Sequence, residues 1–261
     1  MGRVDSADGV LARIDAFCDA VPRAGATVLD DGPLRLFLRA GMGWPYYARP
    51  VPGGAPVGAA DVDRMRLAQR ARGVPEAFEW VDAAAPTMGA AVRASGLPVQ
   101  VCPLLVLDRQ PCAPPLPPGY ALRLVGPLDA DLAAAEFAVR SVAAVAFGGP
   151  APGPPVGPEV PRLRDDLASG RVARVLVTGP DGPVASGAAQ RAGGVVELVG
   201  IATVAAHRGR GLAGAVTAAV AGAARDAGAD VVFLAAGSET ATRVYERVGF
   251  RRVGTCGIAE P

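Results

Sequence analysis

The sequence contains no lysine, so all 26 of its basic residues are arginine. The protein therefore has no lysine amine that its own chemistry could modify, and we attribute the absence to a genome rich in Ala, Gly and Pro codons. The 25 acidic residues leave a net charge of +1. Because nucleic acids and anionic membranes bind clustered positive charge, we expect neither as the main partner.

Histidine is almost absent as well, since His207 is the only one. The four cysteines, at positions 18, 102, 112 and 256, show no Cys-x-x-Cys spacing. We therefore predict no metal site, and we expect the cysteines to be reduced and structural. A catalytic triad would have to use His207, which lies in a Gly-rich loop with no obvious nucleophile nearby.

Long apolar runs are also missing. None reaches the roughly 20 residues of a membrane-spanning helix, and the N-terminus lacks the apolar core of a signal peptide. These absences favour a cytoplasmic protein. The 261 residues, 51% of them hydrophobic, are enough for one large domain or two ordinary ones. The apolar surplus is compatible with an interface between domains or with a homodimer.

The most informative stretch runs from Val204 to Gly214 and reads VAAHRGRGLAG. It follows a strand-like segment and opens an Ala-rich helix. Gly209 and Gly211 let the backbone approach an anion, and the first turn of the helix offers unpaired N–H groups and a positive dipole end. Arg208 and Arg210 add positive charge. We therefore predict a phosphate cradle.

The sequence of this loop is compatible with more than one phosphate-bearing cofactor. Gly209-x-Gly211-x-x-Gly214 satisfies the dinucleotide fingerprint. A doubly wound nucleotide fold, however, needs several further βα units, and only 47 residues follow Gly214. Asp230 is a candidate ribose ligand but more simply begins the next strand. The dinucleotide interpretation is therefore the weaker one.

A second motif lies downstream, in the run SETATRVYERVGF from Ser238 to Phe250. It resembles the Asn-x-x-Ala-x-x-Leu-Tyr-x-x-x-Gly-Phe helix of the GNAT superfamily of N-acetyltransferases. The segment from Arg208 to Ala213 likewise resembles that superfamily's acetyl-CoA pyrophosphate motif, Arg/Gln-x-x-Gly-x-Gly/Ala. Ser238 departs from the pattern because Asn is common there, although Ser can still cap a helix.

The resemblance implies an α/β fold with a mixed sheet, covering residues 120–261. The elements we predict in that range follow the order of the superfamily's core: a strand at 121–125, helices at 129–146 and 159–169, a hairpin of 171–178 and 183–191, a strand at 195–203, a helix of about fifteen residues from 212, a strand at 231–235, a helix ending at 249, and a strand at 251–258.

The first half of the sequence contains a pattern of elements similar to that of the second half, which suggests a tandem duplication. Aligning Gly96-Leu97 with Gly249-Phe250 superposes strand, helix and strand, and it places Val92 at the position of Tyr245. We predict a degenerate, non-catalytic domain at 1–110, a stiff Pro-rich linker at 111–119, and a catalytic domain at 120–261. A chance similarity of generic βαβ pieces is the alternative.

Two further features stay open at this point. The Gly- and Pro-rich loop at 148–158 is either a lid over the acceptor cleft or a plain surface loop. The chain also ends too early for the last strand that many members of the superfamily carry. We expect the first half to supply that missing neighbour.

The resemblance implies transfer of an acetyl group from acetyl-CoA to a primary amine. Tyr245 would protonate the departing thiolate, since a phenol is a plausible acid towards it. Glu197 would take the proton of the amine, because a lone carboxylate in an apolar strand has a raised pKa. Strand alternation places Glu197, Val199, Ile201 and Thr203 on one face unless a bulge intervenes.

The expected cofactor-binding residues fall on the strand end, the cradle and the start of the last helix. They are Ile201, Ala202, Thr203, Arg208, Gly209, Arg210, Gly211, Leu212, Ala213 and Ser238. The acceptor would be a small-molecule or peptide amine. The alternative function is a non-catalytic CoA-binding or regulatory module.

Overall fold

The protein is described by a computed structural model that covers residues 7–39, 47–150 and 152–261. The helices and strands in chain order are α1 Ala7–Arg23, β1 Ala26–Asp31, β2 Leu34–Arg39, β3 Ala48–Pro50, α2 Ala59–Arg70, β4 Phe78–Val81, α3 Met88–Ala94, β5 Gln100–Leu107, β6 Ala121–Leu124, α4 Leu132–Phe147, α5 Glu159–Ala168, β7 Val172–Gly179, β8 Gly182–Ala192, β9 Val195–Thr203, α6 Leu212–Asp226, β10 Val231–Ala235, α7 Glu239–Val248 and β11 Phe250–Ala259.

These elements form two compact units that are not continuous in sequence. The first contains the described residues of Met1–Leu105 together with Ala235–Ser238 and Arg252–Pro261. The second contains those of Val106–Leu234 together with Glu239–Arg251. Most of the C-terminal strand β11 therefore belongs to the first unit, and the Pro-rich segment 111–119 belongs to the second.

The first unit is a mixed sheet in the order β1-β2-β3-β4-β11-β5. Strand β4 runs antiparallel to β11, with Trp80 opposite Gly257 in the register. A Cβ on Gly257 would lie 2.0 Å from the Trp80 ring, so only glycine fits there. Trp80 then joins a buried apolar cluster with Phe78, Met88 and Val92, which holds α3 against the sheet.

The second unit is a sheet in the order β10-β9-β8-β7-β6, antiparallel except for the parallel pair of β9 and β10. Helix α6 packs on β7, β8 and β9 through buried alanines and valines, among them Val216 and Val220. Helix α4 packs on the other face, where the Ser186 hydroxyl of β8 donates to the Val139 carbonyl of α4. The sheet therefore lies between two helical layers.

The element order predicted for residues 120–261 is confirmed, and strands β9 and β10 have the predicted bounds. Helix α4 begins at Leu132 rather than at 129, because the Asp129 carboxylate accepts a hydrogen bond from the Gly126 N–H and closes a turn there. The first half repeats the order helix, strand, helix, strand as α2-β4-α3-β5, matching α6-β10-α7-β11. The predicted mixed α/β fold with a tandem arrangement is thus confirmed.

The alternation along β9 is interrupted by a β-bulge, which is the exception that the sequence left open. Ala188 pairs with Val199 and Ser186 pairs with Ala202, so Gly200 and Ile201 together oppose one residue of β8. Gly200 accommodates the bulge with φ +61°. The bulge keeps Glu197 and Val199 on the α4 face of the sheet and places Ile201 and Thr203 on the α6 face.

Candidate active site

The two parallel strands of the second unit separate part of the way along their length. Strand β10 pairs with β9 at only three positions, the last of which joins Phe233 to Glu197. Beyond Glu197, β9 continues to Thr203 with β8 as its pairing partner. In the described part of the chain, the other edge of residues 198–203 has no pairing strand, and we call this open edge the gap.

Glu197 lies where this gap begins. Its carboxylate accepts a hydrogen bond of 2.8 Å from the Gln190 amide nitrogen on β8. Burial raises the pKa of Glu197 to about 7, because a charged carboxylate is poorly solvated there, and the hydrogen bond from Gln190 opposes this increase. Near neutral pH this side chain can therefore both hold and release a proton.

Tyr245 lies on α7, which packs against α6. Its side chain is 9% exposed, and its ring stands 6.4 Å from the Phe250 ring. Burial raises the pKa of the phenol, so the hydroxyl keeps its proton at neutral pH. None of the described residues hydrogen-bonds that hydroxyl. The helix carrying Tyr245 thus packs on the α6 layer, whereas Glu197 faces the α4 layer.

The predicted cradle connects β9 to α6 through a short 3-10 turn, Ala205–His207. Gly209 and Gly211 adopt φ values of +76° and +79°, a left-handed conformation that explains both glycines. Helix α6 has no acidic residue in its first turn and no side-chain cap, and its first internal hydrogen bond joins Ala215 to Gly211. Its leading N–H groups, including those of Leu212 and Ala213, are therefore free to bind an anion.

The two cradle arginines differ in their contacts. The Arg208 guanidinium donates to the carbonyls of Thr203 and Ala146, at 3.2 and 3.3 Å. It thereby ties the loop to the ends of β9 and α4. Arg210 is exposed, and its guanidinium carbon lies 6.0 Å from the centre of the Tyr120 ring. Arg210 is thus the cradle cation with access to a ligand.

The strand end supplies one buried polar atom without a partner among the described residues. Thr203 is 9% exposed, and its hydroxyl oxygen makes no hydrogen bond. Ala202 is buried and Ile201 is half-buried beside it. Ser238 immediately precedes α7 and belongs to the segment assigned to the first unit. The gap and the cradle thus bring the remaining predicted cofactor residues together.

Three residues near the site were not predicted from the sequence. Gln190 faces Glu197 across the β8–β9 pair, Tyr120 bonds His207, and Pro114 contacts the cradle glycines. Nothing in the local pattern marks Tyr120 or Pro114, because their partners lie far along the chain. Gln190 had only a weak signal, since it is one of three polar residues, with Ser186 and Arg191, in a strand of mostly small residues.

Two negative findings complete the site. Among the described residues, no group of three or more His, Cys, Asp or Glu side chains is arranged to hold a metal ion. Within the same ranges, the helices are all too short or too polar to cross a membrane.

Part of the chain matches a known protein family. Residues 182–257, which include both predicted cofactor motifs, match the family model of FR47-like proteins. A search of curated protein sequences finds no match.

Solved structures give broader coverage. A GCN5-related N-acetyltransferase from Kribbella flavida is 25% identical, with a TM-score of 0.75 over 97% of this chain and 96% of that one. A GCN5-related N-acetyltransferase from Sphaerobacter thermophilus is 20% identical, with a TM-score of 0.60 over 89% and 82% of the two chains. A tandem GNAT protein from the clavulanic acid biosynthesis pathway is 18% identical, with a TM-score of 0.53 over 87% and 78%.

The name of the Kribbella flavida relative supports an acyltransferase. The resemblance inferred from the two sequence motifs is confirmed by the family-model match and by the fold. Residues 182–257 are thus similar to FR47-like proteins, and the chain as a whole has the fold of the GCN5-related N-acetyltransferases in its tandem form.

Proposed function

We propose that the second unit transfers an acetyl group from acetyl-CoA to a primary amine. The observation that carries this proposal is the end of β9–β10 pairing at Glu197, in the same strand that leads into the cradle. The free backbone edge of residues 198–203 suits an amide-bearing chain such as pantetheine, and the open start of α6 suits its pyrophosphate. The unpartnered Thr203 hydroxyl fits a polar ligand in the same gap.

Glu197 is proposed as the general base. An amine is protonated at neutral pH and must lose a proton before its nitrogen can attack the thioester carbonyl. A carboxylate with a pKa of about 7 accepts that proton more readily than an ordinary glutamate. The neutral nitrogen then forms the C–N bond, and a backbone N–H near Ile201–Thr203 stabilises the resulting oxyanion.

Tyr245 is proposed as the general acid. When the C–S bond breaks, the electron pair remains on sulfur, and the phenol donates its proton to the thiolate. The amide nitrogen releases its remaining surplus proton, which restores the tyrosine through solvent, and Glu197 releases the proton it took from the amine to solvent. Because Tyr245 and Glu197 belong to opposite helical layers, cofactor and amine would approach the gap from opposite faces of the sheet.

The acceptor is proposed to be a small-molecule or peptide amine. Helix α4 packs on the face that carries Glu197, and the segment 148–158 that follows α4 in the chain contains several glycines and prolines. We propose that this loop is the acceptor-side lid.

The first experiment is calorimetric titration of the protein with acetyl-CoA, with NAD and NADP in parallel. Saturable binding of acetyl-CoA alone is expected. Thioester turnover is then followed across a panel of small amines and peptides. Binding of acetyl-CoA without turnover on any amine would favour the non-catalytic CoA-binding module, and binding of only a dinucleotide would exclude both.

A further inference from the structure

The Pro-rich segment, residues 111–119, is attached to the cradle rather than being a free linker. At its start, the Cys112 N–H donates to the Val248 carbonyl at 2.8 Å, at the last residue of α7. At its end, the Tyr120 N–H donates to the Pro117 carbonyl and closes a turn. Both anchors belong to the second unit, which also contains the cradle.

Between these anchors, Pro114 packs on the first turn of α6. A Cβ added to Gly211 would lie 3.5 Å from the Pro114 ring, and a Cβ added to Gly214 would lie 3.2 Å from it. Gly214 has ordinary helical geometry, so the proximity of Pro114 accounts for the glycine there. The ring therefore covers one side of the helix start whose N–H groups are open.

Tyr120 fixes the far end of the Pro-rich segment to the loop. Its hydroxyl is 2.8 Å from Nδ1 of His207 in the 3-10 turn, and the two rings meet edge to face at 5.7 Å. The tyrosine ring also lies close to Gly179, where an added Cβ would be 3.0 Å from a ring carbon. Arg210 of the cradle lies over the same ring. One side chain thus contacts the turn before the cradle and the exposed cation within it.

We propose that the Pro-rich segment is a wall of the cofactor's phosphate site and that Tyr120, bonded to His207, is the residue that positions this wall. Prolines restrict the backbone, so a segment anchored at both ends loses little further entropy when a ligand binds. The proposal rests on the proposed function, because it concerns the affinity of the same cradle for acetyl-CoA. Tyr120 is a positioning residue and takes no part in the proton transfers.

The main test is Tyr120→Phe, which removes the hydroxyl and keeps the ring. We expect the Kd and KM for acetyl-CoA to rise roughly threefold to tenfold, the range for loss of one hydrogen bond, with kcat unchanged. His207 is the only histidine, so its imidazole signal in NMR spectra is unambiguous. That signal should shift in Tyr120→Phe and on addition of acetyl-CoA to the wild type.

Two pairs of variants test whether contact with the Pro-rich segment affects acetyl-CoA binding. Gly214→Ala would press a methyl group against Pro114, whereas Gly222→Ala in the same helix meets nothing within 4 Å. Pro114→Gly removes the contacting ring, whereas Pro75→Gly makes the same backbone change at an exposed proline of the first unit. We expect weaker acetyl-CoA binding for the first member of each pair and unchanged binding for the second, with folding checked by circular dichroism.

Three results would overturn the proposal. Unchanged affinity in both Tyr120→Phe and Gly214→Ala, with the wild type still binding acetyl-CoA, would show that the Pro-rich segment is only structural. Tighter binding in either variant would show that the segment obstructs the site. Failure of the wild type to bind acetyl-CoA would remove the proposed function together with this inference.

Discussion

The two units start their corresponding helices in opposite ways. At the start of α2 in the first unit, the Asp61 carboxylate accepts a hydrogen bond of 2.8 Å from the Gly58 N–H and pairs with Arg64. These contacts hold the pKa of Asp61 below its usual value. At the start of α6 in the second unit, no acidic side chain lies in the first turn. One helix supplies its own anion, and the other leaves that position for a ligand.

The last helices of the two units, α3 and α7, carry different side chains at corresponding positions. Val92 on α3 is 0% exposed and belongs to the apolar core of the first unit. Tyr245 on α7 is similarly buried but carries a hydroxyl that no described residue bonds. The same element order therefore gives a structural unit in one case and a candidate catalytic unit in the other, through a few side chains at the helix ends.

The largest effect is expected when the open helix start is closed. Gly211→Glu places a carboxylate at the cradle and a side chain at φ +79°, so acetyl-CoA affinity should fall by more than ~100-fold. The control is Gly228→Glu, since Gly228 follows the other end of α6, has φ +75° and has no neighbour within 4 Å of an added Cβ. Calorimetry measures both. Equal losses would mean that strain, not the cradle, caused the effect.

The next effect separates chemistry from binding. Tyr245→Phe should lower kcat roughly 100-fold, the low end for loss of a general acid, and leave the acetyl-CoA Kd unchanged. Tyr47→Phe in the first unit removes a hydroxyl of the same kind and should leave both constants unchanged. Thioester turnover and calorimetry together check this pair. Wild-type turnover in Tyr245→Phe would exclude Tyr245 as the acid.

A smaller effect is expected in the pH dependence of kcat/KM, which we attribute to Glu197. A base with a pKa of about 7 is active when deprotonated, so kcat/KM should fall as pH decreases below about 7. Gln190→Leu removes the hydrogen bond that stabilises the charged carboxylate, so the pKa of Glu197 should rise further. The acidic limb of the kcat/KM profile should therefore move to higher pH, with a few-fold loss of kcat/KM at pH 7. Glu197→Gln should abolish the limb. A limb that persists in Glu197→Gln belongs to another group.

The same increase in pKa affects stability. The native state holds the Glu197 proton at pH values where the unfolded chain has released it. Between pH 4.5, the ordinary pKa of a glutamate, and about 7, the free energy of unfolding should therefore decrease as pH rises. The Glu197→Gln variant provides the reference curve, because it removes this titration.

The smallest effect is expected in the first unit. Asp61→Ala should lower the free energy of unfolding by about 0.5–1 kcal/mol through loss of the helix-start contacts, with acetyl-CoA affinity and kcat unchanged. Asp63→Ala, at an exposed position of the same helix, is the matched control. Urea denaturation measures the difference. A change in acetyl-CoA affinity in Asp61→Ala would contradict the division of roles between the units.

Features that depend on neighbouring residues in the chain could be predicted from the sequence. The apolar run of β9 and the two glycines of the cradle are local signals, since strand periodicity and positive φ are properties of short segments. The spacing from Gly211 to Tyr245 likewise followed from one helix, one strand and a second helix. These local signals were sufficient to predict the fold and to propose the site residues.

The strand register and the long-range contacts could not be predicted from the sequence. The bulge at Gly200 reversed the faces of Ile201 and Thr203, because the pairing of β9 with β8 sets that offset. The bond between Tyr120 and His207 joins residues 87 positions apart. The C-terminal strand joins the first unit because a glycine at 257 admits Trp80. Each outcome depends on which distant segments pack together, and no local pattern carries that information.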